Sequence, residues 1–370
     1  MNAIQIYELV NAVNKQAFGQ TALTVADTTG LISLGNTVLS SSSNTEAFIN
    51  TLAQRIGKTI LRHRSYRNKL GDMVINDFQY GAILQKIKVE MPEAEEDEMY
   101  DLTDGASVDH YKVAKPDVRQ KLFVTRTPYQ FHITIQRSTL KEAFISAEAM
   151  ASFVGVVMGE VQNAIECSLE NLSRCTLATG IAEANGTSRE IALVSNYNSD
   201  TGSSLTAVTA LYDEKFLAYC VARLNTMRDN FADMSTMWND GTVKSFTPDA
   251  DVRLRIISPF IRRMETVVQY KAFHEDLVKA NGIVTSLNFW QAEQSPFDVN
   301  IKRPSDSVAT TVNNVVAIMH DRDAMGVYKK DEEVATTPVN AAGLYYNTYW
   351  HERQLRFIDK SENLVTFTLN

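Results

Sequence analysis

The side chains best able to do chemistry in this chain are its histidines, its cysteines and a few charged runs, and their spacing limits what they can do. His320-Asp321-Arg322-Asp323 sets an imidazole beside two carboxylates, the ingredients of a general acid–base pair. No nucleophile or phosphate-binding loop accompanies it, and its position fits a strand end running into a helix cap. A structural role is therefore expected. His63, His110, His132, His274, His320 and His351 show no H-E-x-x-H or related ligand spacing, so no metal site is expected. Cys167, Cys175 and Cys220 are odd in number and lack C-x-x-C spacing, which predicts reduced, buried thiols acting as small hydrophobes. The glycine motifs of nucleotide sites and the G-x-S-x-G elbow are absent. No catalytic residue and no cofactor are expected. Asn185-Gly186-Thr187 has the form of a glycosylation acceptor, which is irrelevant in a cytosolic chain.

Charge and composition narrow the partners. The formal net charge of the 370 residues is -8, which disfavours a protein whose binding energy comes from neutralising nucleic-acid phosphates. Trp290, Trp350 and Tyr345, Tyr346 and Tyr349 could form a base-stacking platform, but their alternating strand positions in an acidic chain point to packing or subunit contact. Lys, Arg, Asp or Glu interrupts every apolar run, so no membrane span is expected. The first residues lack a basic region followed by a continuous apolar stretch, and read as an amphipathic helix rather than a signal peptide.

These residues need elements to position them. Residues 1–70 read as an arm with little core of its own. It has a helix around Ile4–Phe18, a serine-rich connector from Leu39 to Asn44 and a second helix near Glu46–His63, with Phe48, Leu52, Ile56 and Ile60 on one face. Residues 71–137 read as a long β-hairpin: strands at 82–89 and 120–136 flank the acidic run Glu90 to Asp104, which includes Glu93, Glu95, Glu96, Asp97 and Glu98. Thr139-x-x-Glu142 has the form of a capping box, and Ser146 is a second cap before an unbroken helical pattern from Ala147 to about Thr179. In that helix Glu160, Asn163, Glu166 and Glu170 are expected to face water, and Gly155 and Gly159 to allow a bend or close packing. A Gly-, Asn- and Ser-rich passage, 185–204, leads into an α/β unit. This holds a helix at Tyr212–Asp229, strands at Arg253–Ile257, Ile283–Trp290 and Val315–Met319, a helix opening at Ser258-Pro259 and a short helix at Asp321–Tyr328. The tail returns to β at Tyr345–Trp350, Arg353–Ile358 and Leu364–Leu369, with a turn at Asp359–Glu362.

The order arm, hairpin, very long helix, α/β unit and closing strands resembles the Hong Kong 97-type major capsid proteins of tailed double-stranded DNA phages. Three stretches carry the likeness beyond topology: Gln136 to Phe144, Ala317 to Tyr328, and Tyr345 to Asn370. The resemblance implies an α+β fold with an N-terminal arm at 1–70, an E-loop hairpin at 71–137, a peripheral (P) domain with a spine helix at 138–204, an axial (A) domain at 205–329 and closing P-domain strands at 330–370. It implies a structural shell subunit of an icosahedral or prolate capsid, not an enzyme. The expected partners are further copies in hexamers and pentamers, a portal, scaffolding or decoration proteins, and packaged DNA by weak non-specific contact. The expected locations are the host cytoplasm before assembly and then the virion. Some members weld their shells through Lys–Asn bonds. Lys86, Lys88, Lys112, Lys115 and Lys121 fall in the hairpin, yet no acceptor or activating carboxylate is identifiable. An encapsulin-type compartment and a soluble α/β enzyme with an inserted hairpin are the alternatives. The long N-terminal region favours the phage protein over the first, and the lack of convergent catalytic groups disfavours the second.

Charge adds one expectation. The stretch holding Arg55, Lys58, Arg62, Arg64, Arg67 and Lys69 contains no acid and complements the acidic hairpin run. The two are expected to meet across subunits, giving register and salt sensitivity more than affinity. Two separately solvated patches, or a basic stretch facing DNA, are the other readings.

Overall fold

A computed structural model describes residues 3–19, 23–56, 66–75, 84–92, 94, 103–105, 107, 111, 113, 115–124, 127–271, 283–303 and 306–370. The contacts divide the chain into two compact units: Met1–Gln79 with Arg126–Ser173 and Val327–Arg356, and Tyr80–Thr125 with Arg174–Gly326 and Phe357–Asn370.

In the first unit, helices α1 (Ala3–Phe18), α2 (Thr28–Leu39) and α3 (Ser42–Ile56) pack with α4 (Arg137–Ala143) and α5 (Ala147–Ser152). Val10 and Val13, Leu31, Leu34 and Val38, and Phe48, Ile49 and Leu52 fill one apolar cluster with Phe144 and Met150. The expectation of an arm without its own core is thus corrected. The missing wall was α2, whose segment TTGLISLGNTVL mixes glycines and β-branched residues that weaken a helical reading. Its Leu31, Leu34 and Val38 nevertheless recur at three and four, and Asp27 caps it by accepting a bond from Gly30 N at 2.7 Å. Asn11 holds the α1–α2 connection by exchanging two bonds with the Val25 backbone, at 2.7 and 2.6 Å. Gly35 is required for close approach: a Cβ there would lie 2.6 Å from Phe144 Cβ.

The long helix forms with a change of winding. Ser146 caps α5 as expected, accepting from Ala149 N at 3.1 Å. A π-helical segment, Phe153–Met158, then interrupts the α pattern before α6 (Gly159–Ala184). Thr139 lies inside α4, which opens at Arg137 after an extended Gln136, so no capping box forms there. Glu170, expected to be wet, is 5% exposed, where it accepts from the Tyr66 hydroxyl and, at 3.3 Å, from Lys69 N. The first half of α6 packs Val161, Ile165 and Leu169 against Phe131, Ile133 and Trp350. Those residues belong to a four-stranded sheet of order β1 (Val74–Ile75), β11 (Met325–Thr336), β12 (Tyr345–Ile358) and β4 (Thr127–Gln136). Within β4 the expected alternation holds, with Phe131, Ile133 and Ile135 turned inward.

The second unit centres on a five-stranded sheet of order β5 (Glu190–Ala192), β13 (Leu364–Thr368), β10 (Val315–Asp321), β6 (Val252–Ile257) and β7 (Ile283–Leu287). Helices α7 (Leu193–Thr201), α9 (Glu214–Ala232) and α10 (Ser258–Lys271) bury Tyr197, Phe216, Cys220, Leu224 and Phe260 with Val252, Leu254 and Ile256. Short α8 (Ala207–Ala210) and a ribbon of β8 (Val299–Ile301) and β9 (Thr310–Val312) complete the unit, together with the hairpin described below. Near Gly180 of α6 lie Met325, Leu364 and Ile318. The Gly-, Asn- and Ser-rich passage at 185–204 contains β5 and α7. The short helix expected at 321–328 is instead a turn between β10 and β11, in which Asp321 Oδ1 accepts from Asp323 N at 2.7 Å. The two strands expected in 345–358 are one, β12.

Candidate functional site: a hairpin with its charged face inward

The segment read as one strand from 120 to 136 holds two, the first ending at Phe123 and the second, β4, beginning at Thr127. Its first part, β3 (Val118–Phe123), pairs antiparallel with β2 (Leu84–Val89) as a two-stranded hairpin. Alternation gives this hairpin two unlike faces. One carries Leu84, Lys86 and Lys88 with Arg119, Lys121 and Phe123; the other carries Gln85, Ile87 and Val89 with Val118, Gln120 and Leu122. The usual rule would turn the aliphatic face inward. Here Ile87, Val89, Val118 and Leu122 are 53–57% exposed, while Lys86 and Lys88 keep only 24% and 20% of their side chains exposed.

The lysines point at the turn between β12 and β13. Lys86 and Lys121 are directly opposed across the strands, an arrangement that repels unless an anion intervenes. Asp359 supplies that anion: its Oδ2 lies 3.0 Å from Lys86 Nζ and its Oδ1 2.9 Å from Lys121 Nζ. Glu362 bridges the next pair, 2.6 Å from Lys86 and 2.8 Å from Lys88, and Asp240 reaches Lys121 at 3.4 Å. Backbone oxygens finish the cluster, Asp323 O accepting from Lys86 at 3.1 Å and Ser361 O from Lys88 at 2.9 Å. Ser361 fixes Asp359 by donating from N at 3.0 Å and from Oγ at 2.7 Å. Phe123 and Phe357 close the hairpin base, ring centroids 5.5 Å apart. Burial alone would raise the Asp359 carboxyl, yet the Lys121 hydrogen bond, the Lys86 charge and Ser361 hold it well below the usual carboxylate range. Burial likewise opposes the Lys86 ammonium, and its bond to Glu362 with the two carboxylate charges outweighs this and raises it. Both groups are held charged.

Of the residues singled out in the sequence, Arg67 is exposed just before β1. Arg55 lies in α3, its side chain outside the described residues, as are Arg62, Arg64, Glu93, Glu95, Glu96, Asp97 and Glu98. His320 is 1% exposed, its Nδ1 2.7 Å from Asp321 O, a core histidine beside a turn. Burial raises the Asp321 carboxyl. Trp290 is buried and donates from Nε1 to Val315 O at 2.8 Å, and Tyr346 is buried in the first core. Tyr349 instead stacks between His132 and His351 on the sheet. All three cysteines are free, but only Cys220 is buried, where desolvation pushes its thiol up; Cys167 is exposed on the outer side of α6 and Cys175 is intermediate, which corrects the expected burial. Among the described residues no group of three His, Cys, Asp or Glu is placed to hold a metal, and no helix is long and apolar enough to cross a membrane.

The chain thus holds two core units, and the hairpin of the second presents Ile87, Val89, Val118 and Leu122 more than half exposed. Solved phage capsids have this mixed helix-and-sheet fold. The capsid structure of Staphylococcus phage Andhra matches with a TM-score of 0.57 at 9% identity, covering 84% of this chain and 87% of that one. A chain from the head fiber and inner core protein structure of bacteriophage P68 matches at 0.56 and 10%, with the same coverage. The fold is thus the Hong Kong 97-type capsid fold of tailed phages. The Phi29-like phage major capsid protein family matches over residues 10–368, and the chain belongs to that family. Its relatives include the major capsid protein of Bacillus phage PZA, 23% identical over 363 residues, 98% of this chain and 72% of that one. That of Bacillus phage B103 is 23% identical over 370 residues, 99% of this chain and 74% of that one. The chain is a structural shell protein of a phage virion, which removes the encapsulin and enzyme alternatives as readings of its principal role.

Proposed function

We propose that this subunit forms hexamers and pentamers of an icosahedral or prolate shell around double-stranded DNA, and that it has no catalytic role. The observation that carries the subunit contact is the aliphatic face of the β2–β3 hairpin. Full burial of one such side chain is worth about 1.5–3 kcal/mol, and these four stay more than half exposed on one face of the ribbon. A neighbouring copy laid against Ile87, Val89, Val118 and Leu122 removes that surface from water. In this reading residues 1–70 are the arm, 71–137 the E-loop, 138–204 and 330–370 the P-domain, and 205–329 the A-domain around the capsomer axis. The chain waits in the host cytoplasm, and meets a portal and scaffolding or decoration proteins during assembly. Packaged DNA touches it only weakly, as its net charge of -8 supports.

The acidic run Glu93, Glu95, Glu96, Asp97 and Glu98 then meets the basic stretch Arg55, Arg62, Arg64 and Arg67 of a neighbour, setting register. Reversing Glu95, Glu96 and Asp97 to Lys is expected to suppress shells at low salt and to recover part of the yield as salt screens the new repulsion. Sedimentation velocity across a salt series measures this. Wild-type yields at every salt concentration would refute the pairing while leaving the hairpin contact untouched.

A further inference from the structure

We propose that Lys86, Lys88 and Lys121 form an ionic latch on Asp240, Asp359 and Glu362 that seats the hairpin on its own subunit and selects which of its faces points outward. The cluster is complete by itself: three ammonium groups meet three carboxylates. Lys86 uses all three of its donors, on Asp359, Glu362 and Asp323 O. Among the described ion pairs these six charges balance, three against three.

The arrangement solves a selection problem. A two-stranded ribbon can seat with either face inward, and burial of apolar surface alone would turn Ile87, Val89, Val118 and Leu122 toward the subunit. Lysines on one face make the inverted seating costly, since it would leave the nearly buried Asp359, 1% exposed at its side chain, without counter-charges. The lysine stems still cover apolar surface around the turn while their ends reach oxygen. Charge thus specifies orientation, and the aliphatic stripe is presented to a neighbour as a consequence. The latch also stays closed through neutral pH. Asp359, depressed when folded, contributes stability above its unfolded value near 3.9 that is lost only as pH falls through its lower folded value. Lys86, raised when folded, contributes stability below its unfolded value near 10.4 that is lost only as pH climbs through the higher folded one. The other charged groups around these two, among the described residues, are Lys88, Arg119, Lys121, Asp240 and Glu362.

Amide hydrogen exchange on the full, unassembled chain tests this without requiring shells, so its failure and that of the proposed subunit contact are distinguishable. In Lys86→Met with Lys121→Met, amides of 84–89 and 118–123 are expected to exchange at least roughly tenfold faster, with β10 amides still protected. The pair Gln85→Met and Gln120→Met, on the opposite face of the same strands, is expected to leave hairpin exchange unchanged. If β10 also loses protection, the single Lys88→Met variant is read the same way. Hairpin exchange within about twofold of wild type in the lysine variants, or an equal rise in the glutamine pair, would overturn the latch.

Discussion

With Ile87 and Val118 both replaced by Asp, the subunit is expected to stay folded and to stop forming shells. Both side chains are more than half exposed, at 57% and 54%, so neither replacement opens a cavity in a core. Across a subunit contact, by contrast, burying the exposed half of each aliphatic side chain brings about 1–1.5 kcal/mol, and a buried unpaired carboxylate subtracts more. Losing about 2–3 kcal/mol at one contact weakens it by a factor on the order of thirty to a few hundred. The shell repeats that contact at every subunit, so assembly fails as a whole. Sedimentation velocity separates subunits from shells, and circular dichroism checks the fold. Shells at wild-type yield would place the essential contact elsewhere and leave the outward stripe without a role.

The second large effect is expected in the first unit, where Phe48→Ala should cost about 3–5 kcal/mol of stability. Phe48 is fully buried among α1, α2 and α3, and its ring lies 5.3 Å from that of Phe144. Removing it leaves a cavity between the N-terminal helices and α4, and Gly35 cannot be filled to compensate because Phe144 already occupies the space where its Cβ would sit. Denaturant unfolding followed by tryptophan fluorescence reads the change, since Trp350 packs against the same cluster. A cost below about 1 kcal/mol would mean that the N-terminal helices are appended to this core and do not build it.

The contrast between these two predictions shows what was legible before any coordinates. Periodicity exposes elements whose two faces differ in the ordinary sense, so the helix of Ala3–Phe18, the alternation of Phe131, Ile133 and Ile135, and the Ser146 cap were all readable. Segments built against local preference were not. The glycines and β-branched residues of Thr28–Leu39 hid α2, whose stability comes from tertiary packing. A π-helical turn at Phe153–Met158 carries no distinct residue pattern; Gly155 and Gly159 pointed to a bend or close packing within an unbroken helix, not to a change of winding. Glu170 looked like a wet helix face because its partners, Tyr66 and Lys69, lie a hundred residues earlier in the chain.

The hairpin is the clearest case. Lys86, Ile87, Lys88 and Val89 alternate as any half-buried strand would, and alternation alone cannot say which face is inside. The answer lies in Asp359 and Glu362, more than two hundred residues away in what reads as a solvated turn. The spacing of those two carboxylates on one turn was the available signal, and only long-range contact gives it meaning. The family, in contrast, was legible from the order of elements along the chain, although identity to its relatives is only 23%.

Electron microscopy of particles purified after expressing the full chain, alone and together with the neighbouring genes of its genome, tests the central claim most directly. Closed shells built from ringed capsomers are the expected result, with density of one subunit's 84–89 and 118–123 hairpin lying against the next. A small monodisperse species under both conditions, or shells whose hairpins turn their aliphatic faces to solvent, would contradict it.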